Sequence, residues 1–123
     1  MKNHPIFILD DHVDTTQMLD MVLSADGYKV LACNDGAHAL SELRSCIQPC
    51  ILFIDHTLPD FEPLEFIREA KQINCPVHIV LMTGHDAKRK AEEMGLQYYI
   101  QKPFDPFTVL ALVHKLYTVC AAA

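Results

Sequence analysis

The chain has 123 residues, of which 50% are hydrophobic and 21% are charged, and its formal charge is −6 at pH 7. This length and balance predict one domain over 1–123 with a sizeable core, and they exclude a disordered tail. Net acidity with one short basic run, 88–90, argues against direct binding to nucleic acid or to an anionic membrane.

The first predicted strand, 5–9, is apolar and ends at the pair Asp10-Asp11. Asp14 then has the position of an N-cap, with Gln17 three residues later, which is the pattern of a capping box. Apolar residues at helical spacing follow in the first predicted helix: Met18, Leu19, Val22 and Leu23.

Gly27, typical of the left-handed residue that ends a helix, separates the first helix from a second strand at 28–32. Asn34-Asp35-Gly36 opens the second helix, which Pro49 stops. The predicted inward face of this helix comprises Leu40, Leu43 and Ile47. The third strand, 51–54, is apolar throughout and ends at Asp55.

The third helix is predicted to begin near Pro63, because proline suits the first turn of a helix. It ends before Cys75-Pro76, and its inward residues are Phe66, Ile67 and Ala70. The fourth strand, 77–82, ends at Thr83-Gly84. A short fourth helix follows and ends at Gly95; its aligned apolar residues are Ala87, Ala91 and Met94.

The fifth strand, 97–100, precedes Lys102-Pro103, and Asp105-Pro106 supplies the N-cap and first residue of the last helix. The inward face of that helix comprises Val109, Leu110, Val113, Leu116 and Tyr117. Strand and helix alternate at the spacing of right-handed βαβ units, and the strands are almost continuously apolar. The sequence therefore predicts an α/β domain with a parallel sheet covered on both faces.

No apolar run approaches the ~20 residues that span a bilayer, and the first apolar segment is too short for a signal peptide. We therefore expect a cytoplasmic protein without a membrane span. The five cysteines are scattered, with Cys46 and Cys50 as the one close pair, so we interpret them as reduced core residues. The alanines at 121–123 leave open whether the chain stands alone or belongs to a longer protein.

Polar residues follow four of the predicted strands, at the edge of a parallel sheet where ligands bind. Asp10, Asp11 and Asp55 would meet there, and like charges ~4 Å apart repel by on the order of 4 kcal/mol per pair at an effective dielectric near 20. Such a group needs a cation, and a small set of oxygen ligands suits Mg²⁺. A carbonyl from the loop after Asp55 would complete the ligands.

The same residues suit phosphoryl chemistry. Asp55 can act as a nucleophile and form an acyl phosphate. Lys102 is placed to offset the charge on the phosphoryl oxygens, and Thr83 can donate a hydrogen bond to one of them. Each residue alone is an ordinary turn or surface residue; their joint position at successive strand ends favours the functional interpretation.

The chain resembles the receiver domains of two-component response regulators over essentially its whole length. The matching motifs are Ile8-Leu9-Asp10-Asp11, Ile54-Asp55 with Leu58-Pro59, Met82-Thr83-Gly84-His85 and Tyr99-Ile100-Gln101-Lys102-Pro103-Phe104. The resemblance implies a flavodoxin-like, doubly wound α/β fold, with five parallel strands in the order 2-1-3-4-5 and five flanking helices.

The resemblance also implies a function. Asp55 would accept a phosphoryl group from a phosphohistidine of a histidine kinase or histidine phosphotransfer protein. The residues that would hold Mg²⁺ are Asp10, Asp11, Asp55 and the backbone of Thr57. Lys102 would contact the phosphoryl group, and the Lys102-Pro103 bond would be cis.

The resemblance also implies how phosphorylation would act as a switch. Thr83 would turn toward the phosphoryl group and let Tyr99 move inward, which would remodel the face of the fourth helix, fifth strand and fifth helix. That face would bind a downstream output protein or domain and is a possible dimer surface. Such a chain is a signalling switch that assists its own phosphorylation, and not an enzyme.

Two departures and two alternatives accompany the resemblance. Glu62-Pro63 stands where the family usually has Asp-Gly, so the loop before the third helix is expected to take another path. Adjacent Tyr98 and Tyr99 leave open which ring reports the switch, although spacing to Lys102 favours Tyr99. An aspartyl-phosphate phosphatase would want a second acid where Thr57 stands. A receiver-like binding module independent of phosphorylation is the other alternative.

Overall fold

The computed structural model describes residues 4–58, 61–73 and 75–122, the side chains of 121 and 122 excepted. Five strands alternate with five helices in this part of the chain. The strands are β1 (Ile6–Leu9), β2 (Val30–Cys33), β3 (Cys50–Asp55), β4 (Val77–Thr83) and β5 (Tyr98–Gln101). The helices are α1 (Val13–Ala25), α2 (Gly36–Ser45), α3 (Pro63–Lys71), α4 (Ala87–Glu93) and α5 (Pro106–Ala122).

All strand pairs are parallel, and the strand order is β2-β1-β3-β4-β5, which confirms the predicted topology. The direction of winding reverses between β1 and β3, where Leu9 pairs with Ile54. The residues that follow these two strands therefore meet at the crevice where ligands bind in open α/β sheets.

The core has one layer on each face of the sheet. On one face, Leu43 of α2, Phe66 of α3 and Ala91 of α4 belong to the same buried cluster. On the other face, Leu19 of α1 packs in a cluster with Val113 of α5. Every residue of β3 is buried, as expected for a central strand covered by helices on both sides.

The start of α1 differs from the prediction. The capping box at Asp14 and Gln17 was wrong, because His12 is the N-cap residue and Asp14 lies in the first helical turn. The carboxylate of Asp10 accepts a hydrogen bond from the backbone N–H of His12 at 2.9 Å, so the chain turns into the helix directly after the strand. The left-handed conformation of Gly27, with φ of 89°, is confirmed.

The end of α2 also differs. The helix ends at Ser45, and Cys46 takes an extended conformation, so Ile47 lies outside the helix and is 92% exposed. The prediction that Ile47 faces the core was wrong. The helix ends several residues before Pro49 because the chain must run extended to enter β3 at Cys50.

Glu62 and Pro63 have a plain structural role. The Glu62 side chain accepts a hydrogen bond from the backbone N–H of Glu65 at 3.0 Å and so caps α3, and Pro63 is the first residue of the helix. Proline is favoured at that position because no helical acceptor exists for its missing N–H. The neighbouring motif residue Pro59 lies outside the described residues.

The cysteines match the expectation of reduced core residues in part, since Cys46 and Cys75 are only half-buried. All five are free thiols, three of them buried: Cys33, Cys50 and Cys120. Burial raises the pKa of the Cys33 and Cys120 thiols to about 11, so both stay protonated at neutral pH. Among the described residues, no helix combines the length and the apolar character needed to cross a membrane.

His78 is expected to make the stability of the fold depend on pH. Burial lowers the pKa of this β4 residue, and its Nε2 atom is buried without a hydrogen-bond partner in the described part of the chain. The unfolded chain therefore binds a proton more readily, so the contribution of His78 to stability is complete above about pH 6.5 and declines as the pH falls below it. Urea denaturation at pH 7.5 and 5.5 should show that the free energy of unfolding falls less on acidification for His78→Leu than for wild type. An equal loss in both proteins would contradict this.

Candidate functional site

The ends of three strands place charged side chains in one crevice. Asp10 follows β1, Asp55 ends β3, and Lys102 follows β5. Asp10 is fully buried and Asp55 is 3% exposed, whereas the neighbouring Asp11 carboxylate is open to solvent. The crevice therefore has two buried acids at its floor and one acid at its rim.

Lys102 bridges the two buried acids. Its Nζ atom lies 2.7 Å from Asp10 Oδ2 and 3.5 Å from Asp55 Oδ1. The backbone N–H of Lys102 donates to the Thr83 carbonyl at 2.7 Å, which fixes the lysine beside the end of β4. The Lys102-Pro103 peptide bond is cis. Lys102 Nζ therefore lies closer to the carboxylate of Asp10 than to that of Asp55.

The two buried carboxyls are unequal. Burial favours the neutral form of Asp10, but hydrogen bonds from Lys102 and His12 outweigh it, so the pKa of Asp10 lies below its usual value. Burial raises the pKa of Asp55, and the adjacent Asp10 carboxylate raises it further. Asp55 is thus the acid whose ionised form needs an additional positive partner.

One oxygen of Asp55 identifies where that partner would lie. Asp55 Oδ2 is buried and has no hydrogen-bond partner among the described residues. Asp10, Asp11, His12 and Asp55 each offer one ligand atom within 4.8 Å of the others, in the group that could hold a metal ion. Carboxylate oxygens in this number fit a hard divalent cation that keeps several waters.

His12 belongs to this group, and the sequence interpretation missed it. Its Nδ1 atom lies 2.8 Å from Asp10 Oδ1. The same atom is 3.3 Å from Asp11 Oδ1 and 3.6 Å from Asp55 Oδ2. The hydrogen bond and charge of Asp10 raise the pKa of His12. The signal that could have found it is adjacency: His12 directly follows the two aspartates.

Thr83 is buried at the end of β4 but faces α4. Its Oγ1 atom accepts a hydrogen bond from Lys90 Nζ at 3.3 Å, and it makes longer contacts with the backbone of His85 at 3.4 and 3.5 Å. Sequence reasoning also missed Lys90, because nothing in its spacing indicates that a side chain of α4 reaches back to the strand end.

The structure places the other predicted residues at or beyond the rim. Thr57 is exposed and lines an open depression with Asp11, His12 and His56. Tyr99 is separated from the acids, since β4 lies between β3 and β5, and its side chain is 41% exposed. The acids and Lys102 thus form one group, and Tyr99 belongs to the outer face of β5.

Comparisons with known proteins agree with this geometry. The family described as "Response regulator receiver domain" matches residues 6–114. PhoP of Bacillus subtilis, an alkaline phosphatase synthesis transcriptional regulatory protein, is 29% identical over 93% of this chain and 48% of its own length. The chain therefore spans about half the length of that relative. The chemotaxis protein CheY of Bacillus subtilis is 27% identical over 91% of this chain and 96% of its own.

Solved structures extend the similarity to the fold. A CheY-like response regulator receiver domain from Methanospirillum hungatei superposes with a TM-score of 0.84 and 21% identity, covering 97% of each chain. At 21% sequence identity, this similarity establishes the fold alone. The family match covers nearly all of the chain and includes the strand ends that hold Asp10, Asp55 and Lys102. The chain belongs to the response regulator receiver domains.

Proposed function

We propose that this domain is a phosphorylation-dependent signalling switch in which Asp55 accepts the phosphoryl group. One observation carries the proposal: Asp55 is buried, yet its Oδ2 atom has no described partner and lies beside the acids and Lys102 at the ligand-binding edge of the sheet. A carboxylate with a free oxygen in such a crevice is a candidate nucleophile.

The cation in this proposal is Mg²⁺, held by carboxylates of Asp11 and Asp55, with Asp10 supporting and the backbone carbonyl of Thr57 as a neutral ligand. When bound, it would neutralise the acid group and withdraw charge from the phosphoryl oxygens. Asp10 is already engaged by Lys102 at Oδ2 and by His12 at Oδ1. Its role is therefore to orient both side chains around the site.

Transfer uses the residues at the crevice floor. A carboxylate oxygen of Asp55 forms a bond to phosphorus while the P–N bond of the donor phosphohistidine breaks. The bonding electron pair stays on the imidazole nitrogen, which then takes up a proton. Lys102, 3.5 Å from Asp55 Oδ1, is within reach of the new phosphoryl oxygens and offsets their charge.

The switch follows from the charge change at Asp55, where a phosphoryl group of about −1.5 to −2 at neutral pH replaces the single charge of the carboxylate. Before transfer, Thr83 Oγ1 accepts from Lys90 of α4. After transfer, the phosphoryl oxygens are stronger acceptors than the His85 carbonyl, to which the Thr83 hydroxyl donates at 3.4 Å, and a hydroxyl that turns toward them would move away from the Lys90 ammonium. Breaking the Lys90 contact would release α4, and Tyr99 on neighbouring β5 could then move inward.

The partners in this proposal are a histidine kinase or histidine phosphotransfer protein as donor, and a downstream output protein or domain. The relatives support both arrangements of output, since one is a transcriptional regulatory protein about twice as long and the other a chemotaxis protein of similar length. We place this single domain in the cytoplasm. The face of α4, β5 and α5 stays a candidate dimer surface.

Intact-mass measurement tests the proposal directly. The folded protein, incubated with acetyl phosphate and Mg²⁺, is expected to gain the mass of one phosphoryl group, and peptide mapping should locate it on Asp55. Chelation of the cation should prevent the gain. A folded protein that stays unmodified with both reagents present would overturn the proposal and favour a binding module that works without phosphorylation.

A further inference from the structure

The acid crevice contains a nitrogen donor among its oxygens. His12 Nδ1 points into the group, with carboxylate oxygens of three aspartates at 2.8, 3.3 and 3.6 Å. Neighbouring ligands of an octahedral ion with bonds of 2.0–2.1 Å are about 3 Å apart. The three separations bracket that value, so the imidazole occupies a position that a ligand could hold.

Two contacts with the Asp10 carboxylate and the start of α1 hold the His12 ring beside the acids. The His12 N–H and the His12 Nδ1 atom both contact Asp10 Oδ1, at 2.9 and 2.8 Å. His12 is also the N-cap residue of α1, so the start of the helix fixes its position. An independent feature requires a positive partner at this point: Asp55 Oδ2 is buried, has no described partner and lies 3.6 Å from the ring nitrogen.

We propose that His12 supplies an imidazole ligand to the cation site, and that the site therefore binds a first-row transition-metal ion such as Mn²⁺ in preference to Mg²⁺. This inference rests on the cation site of the proposed function. It adds the identity of one ligand, and it ranks a transition-metal ion ahead of the Mg²⁺ of the proposed function in affinity.

The preference follows from the chemistry of the donors. Mg²⁺ favours oxygen ligands and keeps its waters, so it gains little from an imidazole. Mn²⁺ shares the preference of Mg²⁺ for carboxylate oxygen, but it belongs to the first-row transition ions, a series whose members also bind imidazole nitrogen. Replacing one water of the metal by the His12 nitrogen therefore stabilises Mn²⁺ more than Mg²⁺.

Calorimetric titration of the metal-free full chain with MnCl₂ and with MgCl₂ measures the preference. Wild type is expected to bind Mn²⁺ more tightly than Mg²⁺. In His12→Phe the ratio of the two dissociation constants should shrink by about tenfold, mainly through weaker Mn²⁺ binding. His56→Phe is the matched control, because His56 lines the same depression but lies outside the four-residue group.

Pulsed EPR of the Mn²⁺ complex gives a second readout that needs no activity. Wild type and His56→Phe should show coupling to a histidine nitrogen, and His12→Phe should not. An unchanged Mn²⁺/Mg²⁺ ratio in His12→Phe, or tighter binding of both metals, would overturn the inference and identify His12 as a charge that competes with the metal. Failure of phosphoryl uptake with nitrogen coupling present would reject the proposed function alone.

Discussion

Asp55→Asn is expected to take up no phosphoryl group from acetyl phosphate and yet to unfold at a higher urea concentration than wild type. The first effect follows from the loss of the carboxylate nucleophile. The second follows from the crevice: the Asp55 carboxylate is buried beside Asp10, and its Oδ2 has no described partner. An amide of the same shape removes the repulsion between the two acids and can donate to Asp10.

The expected gain is about 1–3 kcal/mol in the free energy of unfolding at pH 7 without divalent cations. Burial and Asp10 raise the pKa of Asp55 in the folded protein above its ordinary value of 3.8. The contribution of Asp55 to stability is therefore most favourable below pH 3.8 and is lost as the pH rises through the folded pKa. The advantage of the variant should accordingly disappear in acid.

Asp14→Asn is the control, because Asp14 is exposed in the first turn of α1 and far less constrained. Its stability should change by only a few tenths of a kcal/mol. Saturating Mg²⁺ should also narrow the difference between Asp55→Asn and wild type, since the cation binds the wild-type acids. A variant less stable than wild type in the absence of cations would contradict the view that Asp55 carries uncompensated charge.

Lys102→Met is expected to lower the free energy of unfolding by about 2–4 kcal/mol in EDTA. Removing one member of a buried ion pair leaves the other charge uncompensated, and the 21% exposure of the lysine side chain reduces the loss below that of a fully buried pair. Here the uncompensated group is Asp10, which is fully buried. The rate of phosphoryl uptake, measured with Mg²⁺ present, should fall as well, because the variant lacks the lysine ammonium group near Asp55.

Urea denaturation of Lys102→Met and of Asp10→Asn/Lys102→Met separates the causes. The double variant should recover most of the lost stability, since the fully buried residue 10 then carries no charge that needs the lysine. Lys115→Met is the control: this lysine lies 5.9 Å from the Tyr98 ring centroid, and its loss should cost about 1 kcal/mol or less. Equal destabilisation by the single and double variants would show that Lys102 acts through packing and not through charge.

The fold was predictable because its signals are local and repeated. Apolar strands ending in polar residues specify the sheet, and Gly27 and Pro63 mark a helix end and a helix start that the structure confirms. The capping box predicted at Asp14 was wrong because the side chain of Asp10, which follows β1, binds the backbone at the start of the helix. Asp10 accepts from the His12 N–H, and propensity at Asp14 carries no information about that contact.

The candidate site was predictable to the level of which strand ends meet, but not of which atoms meet. The order of the strands brings Asp10, Asp55 and Lys102 together, and the resemblance to receiver domains implied that order. The shorter reach of Lys102 to Asp10, and the contact of Lys90 with Thr83, depend on side-chain rotamers and on how α4 packs. Such choices are set by three-dimensional packing that periodicity does not encode.

The short length of α4 and its small buried side chains affect how readily this helix can rearrange. The helix has seven residues, and the residues it buries are Ala87 and Ala91, each with a single methyl group. One buried methyl contributes about 0.8 kcal/mol, far less than a leucine anchor such as Leu19 in α1. Amide protons of α4 should thus exchange with deuterium sooner than those of α1, since the helix that rearranges in the proposed switch is held by smaller buried side chains.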